Sequence, residues 1–384
     1  MNIVYFIFVS FGGKGGHFHS LHQITSEITK IEPTLKIISF GNEESEIIKT
    51  SPNFYKHLNV NKTNIISFYK NLYKELVFLN PDILHFFDAH SYNLYFPLSI
   101  FSNKKIVVNK CGGPNPKSYP WVQNLILFSV ENFSWFEERK FYRNTFIKII
   151  PNRSKKVKVE IQDNILKNPD TFNFVRICRI DSKYYHSIIN GINLIKTLHK
   201  KGFNVKLYVI GKIVDFKKYT KLKDLARKYN VEFVTEDKYT TEASKMLYLA
   251  DAVIGTGRSA MEACSLGIPT LMPTKSYEYP ILLKEENFTN YFHKNFTERG
   301  ESISLKNEKI LDEIIQIIEN EKTYKNVSSF SSEIFTKYFD VSIVSKKYIE
   351  FYRYSKPQKI KRTALFFNVK RTLATIYHLI RENF

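Results

Sequence analysis

Four short segments carry residue types that can bind anions, move protons or hold hydroxyl groups. The strongest is Gly255-Thr256-Gly257-Arg258-Ser259-Ala260-Met261-Glu262, which runs on to Gly267-Ile268-Pro269. Small residues let the backbone approach a ligand, and the helix opened by this pattern offers unpaired N–H groups to a phosphate. Glu262 falls one turn into that helix, where a carboxylate can accept hydrogen bonds from two ribose hydroxyls. A second segment is Arg179-Ile180-Asp181-Ser182-Lys183. Arg179, with its planar fork, and Lys183, a point charge, suit a diphosphate. The third is Gly12-Gly13-Lys14-Gly15-Gly16-His17. Gly13, Gly15 and Gly16 permit close approach at a helix start, although the spacing is not G-x-G-x-x-G. In the fourth, His85, Asp88 and His90 could serve as base, hydrogen bonder or orienter. Each segment also has a plain reading: a tight turn, structural histidines, a solvated basic loop, or a glutamate that stabilises a helix start.

All four need a strand behind them. Residues 3–9 form a continuous apolar run before the glycines, and 83–87 a shorter one before Asp88. Residues 174–178 precede Arg179, and 252–254 precede Gly255. Between them the pattern predicts helices over 19–30, 64–79, 187–200, 219–229 and 259–266, and further strands over 35–40, 105–109, 147–150, 205–210, 231–234 and 270–272. Strand alternating with helix argues for parallel sheets covered on both faces. Ligands bind at the carboxyl edge of such sheets.

The chain has 384 residues, too many for one ordinary core, and its 43% hydrophobic content can fill two. A polar stretch over 154–171 marks the expected junction. The reading is an N-terminal Rossmann-like domain over 1–165, a second over 170–340 and a helical segment over 341–384. Cys111, Cys178 and Cys264 are far apart, which excludes a disulfide scaffold and a zinc knuckle and suits a reducing compartment. The N-terminus reads as a buried strand, not a signal peptide, and no apolar run approaches the roughly 20 residues needed to cross a bilayer. There is no D-x-D, no G-x-x-x-x-G-K-[ST] and no G-x-S-x-G, so neither a metal-bridged diphosphate, a P-loop kinase nor a hydrolase elbow is indicated.

With these residues in place, the chain over roughly 1–354 resembles glycosyltransferase family 4, whose members have the GT-B fold. The segment from Gly255 to Pro269 resembles that family's nucleotide-binding helix, with Glu262 at the second glutamate of its E-x7-E motif. Ile254 stands where the first glutamate would be, and backbone groups around Thr256, Gly257, Arg258 and Ser259 could take over that contact. Arg179 and Lys183 resemble the basic pair that binds the donor diphosphate; in many members the lysine sits at the place of Tyr184. Gly12 to Gly16 resembles the N-terminal glycine loop, and His85 to His90 the histidine-containing segment.

The resemblance implies two facing Rossmann-like domains, doubly wound parallel sheets with a central cleft. It also implies retaining transfer of a sugar from a UDP- or GDP-linked donor, without a metal or other cofactor. Either His90 or His85 would hydrogen-bond the donor sugar. The acceptor implied is a lipid-linked saccharide or polysaccharide in bacterial envelope assembly (capsule, O-antigen, lipopolysaccharide or exopolysaccharide).

Lys and Arg total 57 against 37 Asp and Glu, a net charge of +20 that favours an anionic partner. No nucleic-acid motif accompanies it, so nucleic acid is not expected. From Arg353 to Arg371 there are seven cations and no acid, and Phe366, Val369, Leu373, Ile376 and Ile380 follow helical spacing. Such a helix suits an anionic membrane surface, which would place the protein in the cytoplasm at the inner face of the cell membrane. Packing back on the first domain is the close alternative. The competing readings are a nucleotide-sugar epimerase of similar fold, a basic nucleic-acid binder and a non-catalytic scaffold.

Overall fold

The computed structural model describes residues 1–13, 15–61, 63–100, 102–161, 165–300 and 304–381. They divide into two compact units, Met1–Asn152 with Val341–Phe384, and Arg153–Asp340.

The first unit begins with strand β1 (Ile3–Phe8) and helix α1 (Gly16–Ile28), then β2 (Lys36–Gly41), the single turn α2 (Glu46–Lys49) and β3 (Phe54–Asn59). Helix α3 (Ile65–Leu79), β4 (Ile83–Phe86), α4 (Ala89–Ser99) and β5 (Lys105–Lys110) follow, then β6 (Asn124–Leu127), α5 (Val130–Glu137) and β7 (Phe146–Ile149). The strands are all parallel, in the order β3-β2-β1-β4-β5-β6-β7. Strands buried on both faces read as near-continuous apolar runs. In β1, Val4 and Phe6 enter one core while Ile3, Tyr5 and Ile7 enter the other.

In the second unit come β8 (Phe172–Ile177), α6 (Tyr185–Lys200), β9 (Val205–Ile210), α7 (Phe216–Ala226), β10 (Val231–Val234) and the short α8 (Asp237–Thr240). After them lie β11 (Ala252–Ile254), α9 (Arg258–Ser265), β12 (Thr270–Met272), β13 (Ile281–Leu282), α10 (Glu285–His293), α11 (Asn307–Glu319) and α12 (Glu321–Ile334). The order is β10-β9-β8-β11-β12-β13, with only β13 antiparallel.

The chain returns to the first unit as α13 (Val344–Tyr354) and α14 (Arg362–Arg381). The described part of 341–384, set apart in the sequence as its own segment, packs into the first unit's core. Val344, Tyr348, Ile349, Phe351 and Tyr352 of α13 complete one face of the sheet, and Ala364 and Leu379 of α14 join the other through α4. Polar ties fix α14: Asn368 exchanges 2.8 Å bonds with the Trp121 backbone, and Thr372 donates to the Asn93 carbonyl at 2.8 Å.

The first crossing also falls earlier than the polar stretch over 154–171. Ser154 already bridges to Asp340, and the Val157 N–H donates to Ser265, so residues 153–161 are part of the second unit.

Among the described residues, no helix is long and apolar enough to cross a membrane.

Candidate donor-nucleotide site

In each sheet the strand order reverses once, between β1 and β4 in the first unit and between β8 and β11 in the second. A crevice opens at such a reversal beyond the carboxyl ends of the strands. All four segments singled out in the sequence follow these four strands: Gly12–Gly16 after β1, Asp88 and His90 after β4, Arg179–Lys183 after β8 and Gly255–Glu262 after β11.

The second unit holds the more complete arrangement. Gly257 caps the start of α9 with φ +52°, a left-handed backbone that favours glycine. Its N–H donates to the Phe296 carbonyl at 2.6 Å, so that amide is already used. Ser259 closes the turn: its hydroxyl accepts from the Thr256 N–H at 3.0 Å and donates to the Thr256 carbonyl at 3.1 Å. Glu262 is buried and accepts from Arg258 Nε at 2.7 Å. Burial pushes its carboxyl above the ordinary value, and the Arg258 charge opposes that rise. Arg258 Nη1 is buried with no hydrogen-bond partner among the described residues, a donor that an anion could use.

After β8, Asp181 organises the basic turn. Its Oδ1 accepts from the Lys183 and Tyr184 N–H groups at 2.9 and 3.0 Å, and its Oδ2 lies 3.4 Å from Arg179 Nη2. Arg179 and Lys183 are both exposed, so this ion pair contributes little to stability and leaves them available.

Ile254 is wholly buried, with its side chain in the core beside α6. An acid in that backbone setting would enter the same core.

Sequence reasoning passed over Arg176, which is wholly buried on β8. Its Nη1 donates to the Ile254 carbonyl at 3.0 Å and its Nη2 to Ser187 Oγ at 2.9 Å; both also reach Thr256 Oγ1 at 3.4 Å. The signal was present: one charge in the otherwise apolar-edged strand Phe174-Val175-Arg176-Ile177.

In the first unit, Gly13 has φ +61°, and a Cβ there would lie 2.4 Å from Ser45 Cβ. Gly15 is the cap and Gly16 the first residue of α1. The Gly12 N–H donates to the Glu43 carboxylate at 2.6 Å, showing that this turn accepts a negative group. Lys14 lies outside the described residues.

The three candidates near β4 separate. His90 is exposed in the first turn of α4, its ring 5.8 Å from Phe8. Asp88 is the cap of α4: one oxygen accepts from the Ser91 N–H at 2.7 Å and the other from the Phe8 N–H at 2.8 Å. Both its oxygens serve the fold, so Asp88, expected at the reaction centre, here caps α4 and ties it to β1. His85 likewise proves to be a core residue. It is wholly buried, stacked on Tyr5 at 4.3 Å and hydrogen-bonded through Nδ1 to the Tyr352 hydroxyl at 2.7 Å. Burial pushes it down to about 3, and a hydrogen-bonding interaction with Asn109 opposes that fall. Side chains alternate across a strand, and position 85 points into the layer between the sheet and α13, away from the edge.

No protein-family model and no curated protein matches the chain. Solved structures do. HepE of Anabaena, in complex with UDP, matches at 12% identity over 91% of this chain and 99% of its own, with a TM-score of 0.65. WaaG, a glycosyltransferase involved in lipopolysaccharide biosynthesis, matches at 12% identity, 92% and 100% coverage and a TM-score of 0.58. A protein of Listeria monocytogenes described as a UDP-N-acetylglucosamine 2-epimerase matches at 10% identity, 94% and 99% coverage and 0.58. At such identities the likeness carries the fold and nothing finer. With its two parallel-sheet α/β units, this chain has the GT-B fold.

Proposed function

We propose that the protein is a glycosyltransferase of the family 4 kind. It would move a hexose from a UDP- or GDP-linked donor to a lipid-linked saccharide or polysaccharide in envelope polysaccharide assembly. The observation that carries this reading is the second unit's switch point, where the basic turn Arg179–Lys183 and the Gly255–Glu262 segment follow adjacent strands. The UDP in HepE and the lipopolysaccharide role of WaaG support it as analogies of fold. In this reading Arg179, Lys183 and Arg258 neutralise the leaving diphosphate without a metal, and the transfer retains configuration. Glu262 holds the ribose, and Thr256, Gly257 and Ser259 shape the loop against the phosphates. Gly13, Gly15 and Gly16 line the first unit's anion-accepting turn, and His90 is its candidate contact for the donor sugar.

A panel of nucleotides and nucleotide sugars tests this by thermal stabilisation. One ligand at about 100 times its dissociation constant should stabilise the protein by about 2.7 kcal/mol. No shift with any of them would sink the reading. The Listeria neighbour favours an epimerase as the second reading. Product analysis separates the two: an epimerase converts the bound nucleotide sugar with no acceptor present, whereas a transferase needs one.

Peripheral attachment to an anionic membrane at the cytoplasmic face belongs to the same proposal. On α14, Phe366 (75% exposed), Val369, Leu373 and Tyr377 point outward beside Lys370 and Arg362, while Ile376 turns in to the core. The Ile380 side chain lies outside the described residues. On α3, Ile66 (82% exposed), Tyr73 and Val77 repeat the same spacing around Lys70. Both helices pack on the same core, so both stripes lie on one side of the sheet. Each lysine near an anionic surface contributes about 1 kcal/mol. Reversing two charges, Lys70→Glu with Lys370→Glu, should cut sedimentation with phosphatidylglycerol vesicles by about tenfold or more. Equal binding to neutral phosphatidylcholine vesicles, or no effect of the double variant, would overturn the membrane reading.

A further inference from the structure

Among the described residues, Arg176 is a cation without a counter-ion. It is wholly buried, and among the described residues its hydrogen-bonding neighbours are neutral: the Ile254 carbonyl, Ser187 Oγ, Thr256 Oγ1 and the Cys178 thiol. Removing a guanidinium from water without an opposite charge is costly, so its position calls for an explanation.

The position is specific. Ala252 pairs with Phe174 and Val253 with Val175, so Arg176 stands beside Ile254 at the carboxyl edge of the two central strands. The guanidinium reaches from there to the loop that opens α9. It also lies under the ring of Tyr184, with Cζ 5.7 Å from the ring centroid. Arg179 and Lys183 approach the same ring at 6.0 and 5.2 Å, so three cations gather around one aromatic at the switch point.

Thr256 translates this buried charge to the surface. Its hydroxyl oxygen receives Nη1 and Nη2 of Arg176 on its lone pairs. The hydroxyl proton then has no protein acceptor among the described residues and is left for a ligand. A hydroxyl held this way is a donor and not an acceptor, and half-buried Thr256 presents it at the N-terminal end of α9.

We propose that Arg176 is a positioning residue for the diphosphate of the donor, acting through Thr256: it fixes the hydroxyl as a phosphate donor and supplies a fully buried positive charge. The proposal rests on the donor-site reading above, but it concerns an anion, so inorganic pyrophosphate probes it without a nucleoside.

The test compares the wild type with Arg176→Met, Arg176→Lys and Thr256→Val by calorimetric titration with pyrophosphate, UDP, GDP and the two free nucleosides. The expected result is a loss of about tenfold or more for pyrophosphate and the diphosphate nucleotide in Arg176→Met, with nucleoside affinity changed less than threefold. Arg176→Lys should recover part of the loss. Thr256→Val should lose part of it and add nothing in the Arg176→Met background. Where Arg176→Met fails to fold, the lysine and valine variants carry the same comparison. Equal losses for nucleoside and diphosphate, or wild-type pyrophosphate affinity in Thr256→Val and Arg176→Lys alike, would overturn the proposal. A wild type that binds pyrophosphate but no nucleotide would refute the donor reading and leave the anion comparison in force. A wild type that binds neither would refute both.

Discussion

Glu262→Ala is expected to lose about 10–100-fold in nucleotide affinity, because hydrogen bonds to a charged group are worth about 1.5–3 kcal/mol. The same change should weaken the fold. Glu262 and Arg258 have side chains only 11% and 12% exposed, and alanine strands the guanidinium with no carboxylate. Breaking a buried pair this way costs about 3–5 kcal/mol at full burial, and water reaching this pair trims the figure to about 2–4. Glu262→Gln separates the two effects. Its carbonyl oxygen can still accept from Arg258 Nε, so most of the stability should return, while the charge that draws two ribose hydroxyls does not. Calorimetric titration with whichever nucleotide stabilises the wild type decides the matter. A glutamine variant that binds as tightly as the wild type would remove Glu262 from the ribose contact.

Acid should destabilise the first unit through His85. The folded state keeps this ring neutral down to about pH 3, whereas an unfolded chain takes up the proton near 6.5. Between those values the unfolded state binds more protons, so stability falls as pH falls. At pH 4 the loss approaches about 3 kcal/mol, at 1.36 kcal/mol per pH unit of the window crossed. His85→Asn keeps a polar partner for Tyr352 and cannot take up the proton. Urea unfolding at pH 7 and pH 4 should show the extra acid loss in the wild type and not in the variant. Identical pH slopes for the two would mean that His85 titrates normally, and its assignment to the core would fail.

His85 also shows where a sequence stops being informative. In the string His85-Phe86-Phe87-Asp88-Ala89-His90 it looks as available as His90. What buries it is Tyr5 on a neighbouring strand and Tyr352 on a helix 267 residues away. Neither contact leaves a local mark. Strands bounded by their own apolar runs and glycines were legible: residues 205–210, 231–234 and 270–272 form as the pattern predicts. Helix α4 was not, because seven of its eleven residues are buried, leaving no amphipathic period, and Pro97 lies inside it. The four ligand-edge segments were legible because each follows a strand and carries glycine or charge. The attachment of residues 341–381 was legible only as one of two alternatives for the tail, since it depends on pairing with elements at the other end of the chain.

That attachment bears on how the protein is made. The first unit is interrupted by the whole of the second, and Tyr5 meets Tyr352 across 347 residues. A ribosome adding about 5–20 residues per second completes the second unit roughly ten to forty seconds after the first unit's own seven strands. During that interval one face of the N-terminal sheet waits without α13, and its neighbour without α14, while the inserted unit is already free to fold. The emerging order is therefore inner piece first and outer piece last. The unfinished sheet, with Tyr5 and His85 uncovered, is the nascent surface on which a chaperone would act.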